Sequence, residues 1–435
     1  MDPATIAKTL SQANAIFGPF FAVLGALIKL FWWAPLPFIL FGPLKKWYLR
    51  YKQEIWVNKI KFTVLELKIP RGELKPIKAM ENVFAALWGT YDAANPKEKW
   101  FEGKILLGFS LEMVSTEGFP HFYIRVNDGV RRAVESAFYS QFPGIEIAPV
   151  EDYTKAVPPG LPNKDWDLWG CDYRPAKDDV YPIKTYRQFF EEKEGLKDEK
   201  QIDPLASLME GMVRLGKGEH LWIQFMPKPI TVKEDDYVQR GKEIIRKLIG
   251  RPDKAPPGKT LAQEAFNLAV FGTIPGAPVK NGEKPVIPVE MKLTPGEREV
   301  VQAIEQKISK LAFSTNVRFI YLAKKESFIG ASKVIPFSLF SQFGTQHLNG
   351  LRPWAATITK IQAPDIFTKP RTFVRKRQMF KNYVEREDVE GSRFLLNIEE
   401  LATMFHFPSV EAVPGTILPR VETKKGSPPM ELPVE

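Results

Sequence analysis

The chain has 435 residues, which is enough for two or three domains of ordinary size. Hydrophobic residues make up 44% of it and charged residues 26%, a composition that excludes a disordered or fibrous protein. The formal net charge of +10 favours contact with phosphates, of either lipid headgroups or nucleic acid, and does not choose between them.

A long apolar segment near the start, residues 16–44, contains Lys29 as its only charged residue. At about 1.5 Å per residue, a helix of this length exceeds the roughly 30 Å of a bilayer core. Four basic residues follow it, namely Lys45, Lys46, Arg50 and Lys52. We therefore predict an N-terminal membrane helix within residues 1–54, with these four cations at the membrane surface. The positive-inside rule then places the bulk of the chain on the cytoplasmic side of the cell (inner) membrane.

The sequence allows two arrangements of this segment in the membrane. Lys29 divides the apolar run into two short halves, and a straight helix is interrupted by Pro19, Pro35, Pro37 and Pro43. A re-entrant or interfacial segment therefore competes with a single span. A cleaved signal peptide is disfavoured, because a basic start, a short apolar core and a small-residue cleavage site are not evident. We expect membrane attachment both for a single span and for a re-entrant or interfacial segment.

Residues 55–156 alternate between strand and helix patterns. Apolar residues alternate around Val64, recur at helical spacing after Pro76, and alternate again around Leu111 and Ile124. A second helical pattern and a short strand follow. The order strand, helix, strand, strand, helix, strand is that of a ferredoxin-like (split βαβ) module.

The rest of the chain divides where the content of proline and glycine changes. We assign a linker to 157–177, a second, less regular α+β domain to 178–350 with an insertion at 250–293, and a basic and aromatic C-terminal segment to 351–435. Asp203 with Pro204 predicts one helix start, and Thr294 with Glu297 forms a capping box that predicts another. The predicted fold class is α+β, with a membrane helix, a ferredoxin-like module and a second α+β module. The two modules share pattern without obvious sequence similarity.

No constellation of residues predicts catalysis, a cofactor or a metal. The four histidines lie far apart, and the single cysteine, Cys171, is expected to be a buried packing residue. Gly258-Lys259-Thr260 resembles the end of a phosphate-binding loop. However, Asp253 stands where that motif requires glycine, and no buried strand precedes it. We therefore predict a non-enzymatic protein without cofactors.

A dense basic segment lies closer to the end of the chain. Its cations are Lys369, Arg371, Arg375, Lys376, Arg377 and Lys381. No acidic residue stands among them, whereas Phe373 and Phe380 do. Cations interleaved with aromatic residues suit the backbone and the bases of a nucleic acid. The competing interpretation is a solvated strand or loop, with its charge balanced by the acidic residues within 385–388.

Short motifs through the body of the chain carry a family resemblance. They are FYIRV at 122–126, VESAFY at 134–139, QFPGIEI at 141–147, DPL at 203–205, RFIY at 318–321, LNIEELA at 396–402, HFP at 406–408 and PPMELP at 428–433. Through these motifs, most of the chain after residue 55 resembles the membrane-proximal, N-terminal module of HerA/FtsK-class ATPases. Those ATPases belong to bacterial type IV secretion, conjugation-like systems, and this module is associated with small-genome bacteria. The resemblance carries over no catalytic residue.

The resemblance implies a non-catalytic component of a machine that moves DNA or protein across the membrane. A motor domain commonly follows such modules, so either the motor is a separate polypeptide or this chain is a stand-alone paralogue. In the first case the module would dock a separately encoded ring ATPase at the cytoplasmic face. Membrane lipid and that ATPase are the expected partners, with DNA as a further one, and we expect a homo-oligomer. The alternative function, which rests on residues 369–381, is a membrane-tethered nucleic-acid-binding protein that acts without a motor.

Overall fold

The computed structural model describes residues 36–68, 75–191, 200–249, 293–361 and 367–408, together with a few helical residues between 23 and 30. The chain divides into two compact units. One comprises the chain up to Lys61 together with Asp92–Leu106, and the other comprises Phe62–Tyr91 and the chain from Leu107 onward. Nearly all of the predicted insertion, the loop at 258–260 and the motif at 428–433 lie outside the described residues.

The first unit is built on helix α1 (Leu36–Val57), which carries the four basic residues that follow the apolar segment. A π-helical turn, Glu98–Glu102, packs along this helix. Gly103 follows the turn at a φ of +80°, and a Cβ atom there would collide with the carbonyl group of Lys52. Glycine therefore permits this close approach. Pro43, which was expected to interrupt a helix, lies inside α1.

The expected membrane-spanning helix is not among the helices that the structure describes. Residues 16–22, 24, 28 and 31–35 of the predicted apolar segment lie outside the described part of the chain. Within that part, no helix combines the length and the apolar character that crossing a membrane requires.

The first half of the second unit follows the predicted order. Its elements are β1 (Phe62–Lys68), α2 (Ile77–Trp88), β2 (Ser110–Thr116), β3 (Phe119–Asn127), α3 (Arg131–Gln141) and β4 (Glu146–Val150). The strands are antiparallel and lie in the order β4-β1-β3-β2. The predicted sequence of strand, helix, strand, strand, helix and strand is confirmed. Apolar residues expected on the helices, such as Phe84 and Phe138, are buried.

The second half repeats this arrangement. Its elements are β5 (Trp166–Pro175), the separate strand pair β6 (Phe190–Glu191) and β7 (Lys200–Gln201), α4 (Ala206–Val213), β8 (Glu219–Ile230), α5 (Tyr237–Leu248), α6 (Pro295–Ser309), β9 (Ala312–Lys324), α7 (Val334–Gln342) and β10 (Leu351–Pro353). The main strands lie in the order β10-β5-β9-β8, which matches β4-β1-β3-β2 strand for strand. The halves differ between their second and third strands. A tight turn joins β2 to β3, whereas α5 and α6 stand between β8 and β9.

The segment 157–177, interpreted from the sequence as a linker, contains strand β5. This strand pairs with both β9 and β10, so it is an inner strand of the second half. Its alternation is hidden because polar residues stand among the apolar ones, and one of them, Asp172, is fully buried beside Arg318. The capping box of Thr294 and Glu297 is confirmed at the start of α6. Helix α4 begins at Ala206, just after Asp203 and Pro204.

Strands β2 and β8 join the two halves into one nine-stranded sheet. They pair antiparallel from Leu111 opposite Phe225 to Thr116 opposite His220. Because alternate residues of a strand point to opposite faces, the sheet has two separate cores. The core on one face packs against α2, α3, α4 and α7 and includes Cys171, which is buried as predicted. The core on the other face is centred on Trp222.

The C-terminal segment contributes to the cores on both faces of the sheet. Its elements are α8 (Thr368–Glu385), β11 (Phe394–Asn397) and α9 (Ile398–Met404). Strand β11 pairs with the start of β9, and α9 packs against α2. Met379, Phe380 and Tyr383 of α8 are buried in the same core as Trp222. Helix α8 is therefore an integral part of the sheet's packing and carries the predicted basic segment.

Candidate binding helix

The predicted basic segment, residues 369–381, lies on helix α8, so its interpretation as a strand or loop is wrong. One side of the helix is anchored in the core by Met379, Phe380 and Tyr383. Gly170 on β5 permits this packing. A Cβ atom there would lie 3.3 Å from the Cγ atom of Met379 and 2.7 Å from the carbonyl oxygen of Phe319.

Two of the six predicted cations hold α8 in place. The Nζ atom of Lys376 lies 2.6 Å from Oδ1 of Asp167 on β5. The Nη1 atom of Arg375 donates a hydrogen bond of 3.2 Å to the carbonyl oxygen of Ile358. Both side chains are partly buried by these contacts. Their charges are thus directed inward, and the structure does not offer them to an external ligand.

Three others stand in one row with an aromatic residue. Lys369, Phe373, Arg377 and Lys381 are all exposed and recur every four residues. Residues four apart are neighbours on a helix surface, so these side chains follow one another along α8. Lys381 also lies 3.6 Å from Glu385, an exposed pair of small energetic value. Arg371 is exposed as well but lies outside this row. We call Lys369, Phe373, Arg377 and Lys381 the α8 row.

The C-terminal end of α8 is fixed by Arg386, which adopts a left-handed conformation with a φ of 55°. Its guanidinium binds both oxygens of Glu112 on β2, at 3.0 and 3.1 Å. The same group binds both oxygens of Asp152, at 2.5 and 3.1 Å. The side chain of Arg386 is only 5% exposed and that of Glu112 is fully buried. A buried, bidentate network of this kind sets the position of the helix end geometrically.

A second buried arginine, Arg318 on β9, reaches the same helix end. Its Nε atom lies 3.0 Å from Oδ1 of Asp172. Its Nη1 and Nη2 atoms donate to the carbonyl oxygens of Asn382 and Glu387, at 2.7 and 2.6 Å. A cation beside the last carbonyl groups of a helix is favoured by the helix dipole. Arg318 and Arg386 together attach α8 to strands of both halves.

The carboxylates around Arg386 have perturbed acidities. Burial raises the pKa of Glu112, but attraction by Arg386 and hydrogen bonds from Arg386 and Ser110 outweigh burial and leave that pKa below its ordinary value of 4.5. Burial likewise raises the pKa of Asp152, and Arg386 and Thr154 lower it below 3.8. Both carboxylates therefore favour the folded state above their ordinary pKa values. That stability is lost as the pH falls through the lowered pKa values.

The sequence interpretation missed Glu112, Asp152, Arg318 and Arg386 as a group. The acidic residues on both sides of Arg386 suggest a solvated surface, whereas its side chain is buried. One signal was available in β2, where Glu112 stands between Leu111 and Met113. A strand that is buried on both faces leaves no exposed position for such a carboxylate, which then requires a buried partner.

The four cations predicted to meet the membrane surface all lie on α1. Lys46 and Arg50 are exposed. The Nζ atom of Lys45 lies over the ring of Trp100 at 4.8 Å, and that of Lys52 lies 5.9 Å from the ring centre of Tyr48. Large apolar side chains are exposed on the same helix, namely Ile39, Leu40, Phe41, Leu44, Trp47, Tyr48, Tyr51 and Ile55. Apolar and basic side chains thus share the surface of α1.

Among the residues that the structure describes, no three or more His, Cys, Asp and Glu side chains lie close enough together to hold a metal ion. No protein-family model matches this chain, and no curated protein matches it significantly.

We expect Arg386→Met to lower the free energy of unfolding by roughly 3–5 kcal/mol, because it leaves the buried charge of Glu112 without its partner. Urea denaturation followed by tryptophan fluorescence measures this loss. The matched control is Arg214→Met, which removes an ion pair with Glu210 from an arginine that is 75% exposed. That change should cost at most about 1 kcal/mol. Equal losses in the two variants would contradict the structural role given to Arg386.

Proposed function

We propose that the chain is a non-catalytic, membrane-attached platform of a type IV secretion or conjugation-like machine. It would dock a separately encoded ring ATPase at the cytoplasmic face. The observation that carries membrane attachment is the surface of α1, where eight large apolar side chains are exposed. An uncovered apolar surface of this kind is typical of a site that meets a membrane or another protein. The cations on α1 favour an anionic lipid surface in particular.

The ion pairs of the buried carboxylates support a structural role for the second unit. Glu112 and Asp152 bind Arg386, and Glu400 on α9 lies 3.0 Å from the Nζ atom of Lys307 on α6. Each of these carboxylates is held by a cation that also joins separate elements of the fold. Such paired groups serve the architecture of the fold.

The docking role rests on the resemblance to the membrane-proximal module of HerA/FtsK-class ATPases. We interpret the two halves of the sheet as ferredoxin-like modules placed side by side, which gives the chain a broad helical face for protein contacts. Assembly into a homo-oligomer would match a ring-shaped partner by symmetry.

Vesicle flotation tests the proposed surface of α1. The full chain should bind vesicles that contain phosphatidylglycerol, and the double change Lys46→Glu with Arg50→Glu should weaken binding about tenfold or more, because each basic residue near such a surface contributes about 1 kcal/mol. The matched control is Lys242→Glu with Lys247→Glu, which reverses two exposed cations on α5. Undiminished binding by the α1 variant would show that α1 does not rest on the lipid surface.

Affinity purification from native membranes tests the docking role. The tagged chain should recover a protein with an ATPase motor domain, in amounts comparable with its own. The ATPase should remain bound to the wild type and to the α5 control variant during washing at moderate salt. Repeated recovery of the chain alone would contradict the proposal.

A second function, nucleic-acid binding, is favoured by the α8 row. Lys369, Arg377 and Lys381 are exposed, and Phe373, which is 45% exposed, offers a ring to a base. The side chains of Lys369 and Arg377 form no hydrogen bond or ion pair with any residue in the part of the chain that the structure describes. They are therefore available to phosphates without breaking an internal contact.

Oligonucleotide binding at several salt concentrations tests this second function. Changing Lys369, Arg377 and Lys381 to Glu should abolish binding of a labelled thymidine oligonucleotide by the full chain. Each lost phosphate contact should reduce the slope of log Kd against log salt by about 0.7. Arg375 and Lys376 are unsuitable for this test, because their reversal would disturb the attachment of α8. Salt-independent binding, or none in the wild type, would remove nucleic acid as a ligand.

A further inference from the structure

A cleft of about 650 Å³ lies between α8 and the segment 154–160. Val374 and Val384 on the helix face Val157 and Pro159 on the segment, and Phe380 forms part of the lining. Most of the exposed area of the lining is apolar, and these aliphatic side chains contribute to it. A volume of this size accepts several apolar side chains, and it falls in the range of ordinary ligand sites.

Charged groups stand in the lining beside these aliphatic side chains. Among the described lining residues, they are the cations Lys155, Arg377 and Lys381 and one carboxylate, Glu385, which leaves a formal excess of two positive charges. Arg377 has no partner among the described residues. Lys155 pairs with Glu151 at 3.1 Å, and both side chains are more than two-thirds exposed. Exposed pairs of this kind are weak, so both cations can turn to a ligand.

The guanidinium of Arg377 lies over Gly160 on the opposite wall. This residue has a φ of +76°, and a Cβ atom built there would lie 3.5 Å from the Nη2 atom of Arg377. The guanidinium thus lies against bare backbone at one side of the cleft. Its donors are free, and an acidic group that enters the cleft meets them beside an aliphatic wall.

Both walls are held by the buried network at the end of α8. Asp152 accepts a hydrogen bond from the amide of Thr154 at 3.0 Å and binds Arg386. The hydroxyl groups of Tyr153 and Tyr383 lie 2.9 Å apart. The segment and the helix are therefore fixed relative to each other before a ligand arrives. A site that is formed in advance loses less entropy on binding.

We infer that this cleft binds a peptide segment of a partner protein that presents aliphatic and acidic side chains together. This inference rests on the proposed docking function and names the chemistry of the contact. The aliphatic wall accepts the apolar side chains, and Arg377, Lys381 and Lys155 bind the carboxylates. A strand of nucleic acid fits the cleft less well. Among the described residues that line the cleft, Phe380 is the only aromatic one, and at 5% exposure it offers no open ring for stacking. Glu385 repels phosphate.

Fluorescence anisotropy with a defined probe tests the inference on the full chain in detergent. The probe is a labelled peptide of about twelve residues, with leucines spaced three and four apart and glutamates beside them. A second peptide carries glutamine in place of each glutamate. The glutamate peptide should bind more tightly. Arg377→Glu with Lys381→Glu should weaken it about tenfold and remove its advantage over the glutamine peptide.

Two further variants on α8 separate the contributions. Val374→Ser, at a side chain that is 64% exposed, should weaken both peptides alike, because it removes only aliphatic contact. Lys369→Glu is the matched control, since it lies on the α8 row but not in the cleft, and peptide binding should be unchanged. All these positions are exposed, so the variants should fold.

Three outcomes would overturn the inference. The first is equal binding of the two peptides. The second is that Lys369→Glu weakens peptide binding as much as the cleft variant does. The third is that a thymidine oligonucleotide displaces the peptide and that this displacement depends on Lys369. The last would assign the surface to nucleic acid. If an ATPase co-purifies with the chain but the peptide does not bind, the cleft inference fails alone. If the peptide binds but no ATPase co-purifies, the docking proposal fails alone.

Discussion

The antiparallel pairing of β2 with β8 is the contact on which the rest of the second unit depends. In each half the order of strands leaves the second strand at an edge, and an unpaired edge exposes its backbone groups. Pairing these two edges satisfies both and produces one broad sheet. It also creates the continuous face around Trp222 that neither half could offer alone. Helix α8 lies on that face, so its position follows from the junction.

Buried charges then decide where α8 ends and which of its side chains remain outside. Arg386 links the helix end to β2 in the first half, and Arg318 links it to β9 in the second. Removing one partner of such a pair costs more than the pair itself contributes, because the remaining charge is left without compensation. The network thus fixes α8 specifically. Lys376 and Arg375 contact other elements of the fold, so helix α8 exposes the α8 row and the cleft to other molecules.

Local patterns predicted the first half well, because each of its strands and helices has a regular apolar period. The same reasoning missed β5, where Asp167, Asp172 and Arg174 interrupt the period. It also missed the pairing of the halves, which joins residues about a hundred positions apart and leaves no local trace. The cations of α8 were found, but their roles were not. Lys376 and Arg375 turn inward because they contact Asp167 and Ile358. The spacing of residues within the helix does not predict these partners.

We propose that the surface of α8 beside the cleft meets a partner ATPase. A photoreactive benzoylphenylalanine at Val374, introduced into the full chain in its native cells, tests this contact directly. The matched control position is Tyr139 on α3, which is 43% exposed. Illumination should join the chain from position 374, and not from 139, to a protein that contains an ATPase motor domain. Identical adducts from both positions, or adducts from position 374 without such a motor, would contradict the account.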